Sequence, residues 1–273
     1  MKDNTLYQCF IMRYLYALIL FFSLISSSFL NALDLNRVIL STNNNPLYIE
    51  FWPVVAPLWE AMGLRPTLAF VADETCSVDE TLGDVIRFSP QKDVSEAMQA
   101  QAIRLFLPAL FPDDGCLIAD IDMLPISRSY FFSGAASCPD RSFLVYRDQA
   151  FEYWGMRYPM CYVAAKGKVF GSVFGISTKE DMTTRLREWA ALDLGWNTDE
   201  IMLYQSIQSW GKNGGHLFCL GHGVGPRLDR ADWDRACTSH DVTGYIDCHC
   251  PRPYSAYRHS IDQIVETIHQ QLR

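Results

Sequence analysis

Two carboxylates one residue apart, in Leu117-Ile118-Ala119-Asp120-Ile121-Asp122-Met123, are the residues of this chain best suited to chemistry. On an extended chain alternate side chains share a side, so Asp120 and Asp122 point one way and Ile121 the other. Two hard oxygen donors on one side suit a divalent cation, Mn²⁺ or Mg²⁺, with positions left for phosphate oxygens and water. A cation held in this way can neutralise charge on a departing phosphate group. The triplet alone says little. With 21 Asp in 273 residues, about 1.6 such triplets arise by chance, and a second, Asp232-Trp233-Asp234, stands in a charged, surface-like segment. Position separates the two. The apolar run Cys116 to Ala119 precedes the first pair, so these acids stand where a buried strand leaves a sheet. Open α/β sheets bind ligands at the carboxyl ends of their strands. The opposing reading makes Asp120 a turn or capping residue and leaves Asp122 facing solvent.

The elements that must carry this pair alternate in type. Arg37 to Ser41 reads as a short buried strand running into the polar turn Thr42 to Pro46. Ile49 to Met62 can be helical between its prolines, and Thr67–Val71 and Val85–Phe88 read as strands. Ser95 caps a helix expected to run to about Leu110, with Ala102, Leu105, Phe106 and Ala109 on one face. A capping box, Ser177 with Glu180, opens a helix to about Leu192. Thr198 can cap another from Asp199 to Trp210, and Ser260 one running towards the C-terminus. Strands alternating with helices imply a mostly parallel central sheet with helices on both faces, built as one domain over residues 33–273.

A strand that ends in Asp-x-Asp after a helix carrying Gln101-Ala102-Ile103-Arg104 resembles the GT-A-type nucleotide-diphospho-sugar glycosyltransferases, a Rossmann-related α/β fold. The resemblance covers most of residues 38–260. It is carried by LSTNNN (40–45), QAIRLF (101–106), LIADIDMLP (117–125), WNTDE (196–200) and DCHCPRPYS (247–255). It implies that Ser41, Thr42 and Asn43 hold the nucleotide, that Asp120 and Asp122 bind ribose and Mn²⁺ or Mg²⁺, and that His249 completes the metal shell. The implied donor is a nucleotide-diphosphate sugar, and the acceptor is a glycan, lipid or protein hydroxyl. Gly221-His222-Gly223 is a rival metal site.

Each of these residues has a plainer reading. His249 could be a structural histidine hydrogen-bonded near Asp247. Arg104 could hold a phosphate through its planar fork, or form a surface ion pair with Glu96 or Asp113. Asp199 and Glu200 open a helix, where the dipole favours acids whatever their function. Functionally, one of them could accept the acceptor's proton or steady positive charge at the sugar, Asp199 ahead of Glu200. Trp154, Tyr158 and Trp196 could stack on an acceptor sugar or belong to the core. Cys248-His249-Cys250 does not have structural-zinc spacing.

Residues 14–30 form an uninterrupted apolar stretch after Lys2 and Arg13, so residues 1–32 read as a signal peptide or signal anchor. The rest is then exported, to the secretory lumen or beyond, and touches membrane only through that segment. Nine cysteines, eight of them after the stretch, permit a fully paired lumenal domain, while no Asn-x-Ser/Thr sequon is present. A net charge of −8 argues against a nucleic acid backbone as partner, although a bound cation would admit an anionic nucleotide sugar. A non-catalytic secreted carbohydrate-binding protein of the same fold is the alternative reading. A nucleotidyltransferase fits less well, because Asn43-Asn44-Asn45 stands where a Gly-rich phosphate loop would follow the first strand.

Overall fold

Arg37 to Asn43 forms β1, whose residues are buried on both sides as far as Thr42. Such a strand must sit at the centre of a sheet covered on both faces. The computed structural model, which describes residues 31–151, 155–233 and 242–272, puts it there. Helices α1 (Pro46–Ile49) and α2 (Trp52–Ala61) follow, then β2 (Arg65–Val71) and β3 (Asp84–Phe88). Next come α3 (Glu96–Phe106), β4 (Gly115–Ile118), β5 (Met123–Pro125), α4 (Arg128–Ala136), β6 (Ser142–Val145) and β7 (Val163–Lys166). The remainder is α5 (Gly167–Phe174), α6 (Lys179–Ala190), α7 (Thr198–Lys212), β8 (His216–Cys219), β9 (Arg227–Leu228), β10 (Asp247–His249) and α8 (Tyr254–Leu272).

The central sheet has seven strands in the order β3-β2-β1-β4-β7-β6-β8. Its β3-β2-β1-β4 half is parallel throughout, as is β6-β8, while β7 runs antiparallel to both β4 and β6. The expected mostly parallel sheet flanked by helices is therefore present. Alternation divides the core. Val38, Leu40 and Leu117 join α2 and Ile261, Ile264 and Ile268 of α8 on one face. Ile39, Cys116 and Ile118 join α3, α5, α6 and α7 on the other. A second sheet, β5-β10-β9, was not expected from the sequence. It pairs His249 with Met123 and so brings the late histidine beside the residue that follows Asp122.

Several boundaries differ from expectation for local reasons. The capping box of α6 lies one residue later, with Thr178 Oγ1 accepting from Asp181 N and the Asp181 carboxylate accepting from Thr178 N. Thr198 is inside α7 and donates to the Gly195 carbonyl instead of capping. The last helix starts six residues before Ser260, because the distant Glu50 carboxylate caps it by accepting from Ser255 N at 2.8 Å. The seven described cysteines are unpaired thiols, so the fully paired arrangement does not form; Cys9 and Cys237 lie outside the described residues. Among the described residues no helix is long and apolar enough to cross a membrane, and the 14–30 stretch lies outside them.

Gly115 opens the strand that delivers the acids. A Cβ there would lie 1.8 Å from the Asp34 carbonyl oxygen, a backbone atom with no flexible end to move aside. Gly115→Ala is expected to cost about 1–3 kcal/mol and lower Tm by roughly 2–12 °C. A thermal melt checks this, and an unchanged Tm would mean that the 34–36 segment yields freely.

Candidate active site

A cavity of about 510 Å³ opens at the carboxyl ends of β1 and β4. Ser41, Thr42 and Asn43 of β1 line it, with Arg104 of α3 and with Asp120 and Asp122 beyond β4. Asp199 and Glu200 of α7 and His249 of β10 complete this set, so these nine residues meet in one place.

Asp120 and Asp122 reach the cavity differently from what strand alternation implies. β4 ends at Ile118, and the chain turns so that Met123 N donates to the Asp120 carbonyl. The two carboxylates consequently clasp different cations. Asp120 pairs with Arg104, whose other Nη donates to Asp199 at 3.3 Å. Neither Glu96 nor Asp113 is the Arg104 partner, and the guanidinium is buried as a brace between the two acids. Burial alone would lower the Arg104 pKa, and Asp120 and Asp199 together hold it above its ordinary value. Burial would raise Asp120, which Arg104 more than reverses. Asp199 stays raised, chiefly because it is buried.

Asp122 meets Arg230 at 3.1 Å, Arg252 at 3.4 Å and the His249 Nε2 at 3.6 Å. Its backbone carbonyl accepts from Cys250 N at 2.9 Å, tying the turn to the strand that carries His249. His249 does not pair with Asp247. Its ring faces Asp122 on one side and Asp229, at 3.4 Å, on the other. Burial disfavours the imidazolium, but Asp122 outweighs that and raises the His249 pKa. Cys248 and Cys250 point into the core. The Trp233 indole donates to the His249 carbonyl, so the second Asp-x-Asp encloses a buried residue that steadies the site.

Among the described residues no three His, Cys, Asp or Glu side chains stand ready as a metal cage. The guanidinium of Arg230 lies between Asp122 and His249, touching both. The donor types, two carboxylates and an imidazole, suit a hard divalent ion, and the place between Asp122 and His249 already accommodates positive charge. Arg230 would have to turn away for a metal to enter.

Glu200 is half-buried beside Asp199 and 3.2 Å from Arg157. Burial and then the neighbouring Asp199 push its carboxyl up to about 7, against the pull of Arg157. Trp196 is 65% exposed at the cavity edge, whereas Tyr158 is buried with its ring 5.1 Å from that of Tyr204. Trp154 lies outside the described residues. His222 does not line the cavity, and its ring lies 5.7 Å from that of Tyr130.

Sequence reasoning missed the cavity's arginines at 147, 227, 230 and 252. Only Arg252 carried a signal, standing between two prolines in the 247–255 motif. The others are single arginines in unpatterned segments, brought together by strand pairings far apart in sequence.

No protein-family model matches the chain, and no curated protein matches it. Solved structures do. One is a glycosyltransferase involved in glycosylation of the major capsid of PBCV-1, at 12% identity and a TM-score of 0.44 over 85% of this chain and 99% of that one. Another is the glycosyltransferase GlyE of Streptococcus pneumoniae TIGR4, at 11% identity and a TM-score of 0.49 over 87% of this chain and 63% of that one. A third is the galactosyltransferase LgtC in complex with donor and acceptor sugar analogs, at 12% identity and a TM-score of 0.47 over 85% of this chain and 95% of that one.

Proposed function

We propose that this chain is a glycosyltransferase that moves a sugar from a nucleotide-diphosphate donor to an acceptor hydroxyl with the help of a divalent cation. The observation that carries the reading is the convergence of Asp120, Asp122, His249, Asp199 and Glu200 on one cavity at the carboxyl ends of parallel strands. Open sheets bind nucleotides in such a crevice. Ser41, Thr42 and Asn43 hold the nucleotide from the end of β1. Asp120, Asp122 and His249 are the ligands for Mn²⁺ or Mg²⁺, which when bound supplies Lewis-acid neutralisation of the leaving nucleoside diphosphate.

Arg104 holds Asp120 and Asp199 in place and does not reach for phosphate, since both ends of its fork are committed. Arg230 and Arg252, both at the Asp122 carboxylate and partly exposed, are the cations that can turn to a diphosphate. Glu200, with a pKa near neutrality, takes the acceptor proton, and Asp199, braced and buried, steadies positive charge at the sugar. Trp196 offers its exposed face to the acceptor. The 14–30 segment acts as a signal anchor, or as a signal cleaved on export, and places this work in the secretory lumen or outside the cytoplasm.

A thermal-shift scan with UDP and GDP, with and without Mn²⁺, tests the reading. A stabilisation that needs nucleotide and metal together supports it. Absence of any shift with either nucleotide overturns it in favour of a carbohydrate-binding module.

Glu200 gives a pH signature. As a base it must lose its proton, so transfer is expected to rise as pH passes about 7, and Glu200→Gln should flatten that limb in a pH-rate profile. Folding raises this pKa above its unfolded value, so the folded chain holds the proton more tightly. The associated stability is present in full below the ordinary glutamate range and is lost as pH rises through about 7. Melts from pH 5 to pH 8 should show a steeper decline for wild type than for Glu200→Gln.

A further inference from the structure

A second charged group lines the cavity away from Asp122. Arg147, two residues past β6, and Arg227, in β9, share a single carboxylate, that of Asp247 in β10. Arg147 Nη2 donates to it at 2.7 Å, and Arg227 grips it through Nε and Nη2, both at 2.9 Å. The side chains are 1%, 11% and 0% exposed for Arg147, Arg227 and Asp247. Within this trio at the cavity wall two guanidiniums meet one acid, which leaves one positive charge over. Unbalanced charge in such a wall is costly. Arg147 also has a buried Nε with no hydrogen-bond partner. Arg104 is answered by two acids, while Arg230 and Arg252 share Asp122, where the proposed function puts the diphosphate. Arg227 meets the thiol of Cys161, a residue that also lines the cavity, so the pair stands at the wall of the same chamber.

Resting on the glycosyl-transfer reading, we infer that Arg147 and Arg227 form a carboxylate subsite, and that one of the two sugars handled in this cavity is acidic, as a uronic acid is. A carboxylate supplies the missing negative charge and gives the unpartnered Arg147 donor an acceptor. The acidic unit can be the transferred sugar or the acceptor, and the test has an arm for each.

Binding by wild-type protein is measured for donors that differ only in the carboxylate, UDP-glucuronate against UDP-glucose and GDP-mannuronate against GDP-mannose, with Mn²⁺ present. A second arm compares methyl glucuronoside with methyl glucoside in the presence of Mn²⁺ and UDP or GDP. A preference of roughly tenfold or more for the acidic member of either set is expected, the size of one charge-assisted hydrogen bond. Arg147→Met should abolish the preference and Arg147→Lys should retain part of it, with binding of the neutral member as the control for folding. Equal binding of both members in every pair, while nucleoside diphosphate still binds, overturns the subsite and leaves the proposed function standing. So does a preference that survives Arg147→Met. Failure of every nucleotide to bind overturns the proposed function instead.

Discussion

Asp122→Asn is expected to cut transfer by roughly 10²–10³-fold or more while the protein stays folded. The side chain is nearly isosteric, and the hydrogen bond that ties this turn to β10 uses the Asp122 backbone carbonyl, which the substitution keeps. What it removes is the negative charge that Arg230, Arg252 and His249 share. Those two arginines are 31% and 26% exposed and can turn to water, so their loss of a partner is screened and the fold tolerates it. A metal cannot be screened in the same way, because an amide oxygen is a neutral, weaker donor than a carboxylate. Transfer assays at saturating Mn²⁺, beside a melt and a direct Mn²⁺ titration, make the check. Unchanged turnover in a folded variant would sink the assignment of Asp122 as a ligand and the metal-assisted mechanism with it.

The parts legible in the sequence are those set by local pattern. β1, β2, β3 and β4 are runs of apolar residues long enough for one strand, and their ends were readable to within two residues because polar turns follow them. The Ser95 cap was equally local, its hydroxyl accepting from Met98 N three residues on. The helix it opens gives way to a 3₁₀ turn at Leu107, earlier than periodicity suggested, because Pro108 cannot continue the α-helical ladder. What was not legible is non-local. Strands β9 and β10 are two and three residues long and exist only because β10 pairs with β5 on one side and with β9 on the other. Glu50 caps a helix 205 positions away. The carboxylate pairing of Arg104 crosses from α3 to α7 over 95 positions, and no motif records it.

That pairing makes Arg104 the site of the largest expected stability loss among the cavity residues. Arg104→Met keeps the length of the stem and removes the charge, which leaves the buried Asp199 and the partly exposed Asp120 near one another with nothing between them. Breaking a buried ion pair from one side typically costs about 3–5 kcal/mol, because the remaining charge is stranded away from water. The corresponding fall in Tm is roughly 6–20 °C. The loss must depend on pH in a definite direction. Asp199 is already raised by burial in the wild type, and Arg104 is what lowers Asp120 and restrains Asp199. Without the guanidinium both carboxyls rise above their unfolded values, so the folded variant holds protons more tightly than its unfolded chain. Its deficit is then small at low pH, where both acids are protonated, and grows as pH rises and they are forced to ionise side by side. Urea titrations of wild type and Arg104→Met at pH 5 and pH 8 measure both quantities. A deficit that does not widen between the two would mean that water reaches these acids and that Arg104 is not their brace. Arg104→Lys should recover little, since a single ammonium cannot span two carboxylates as the fork does.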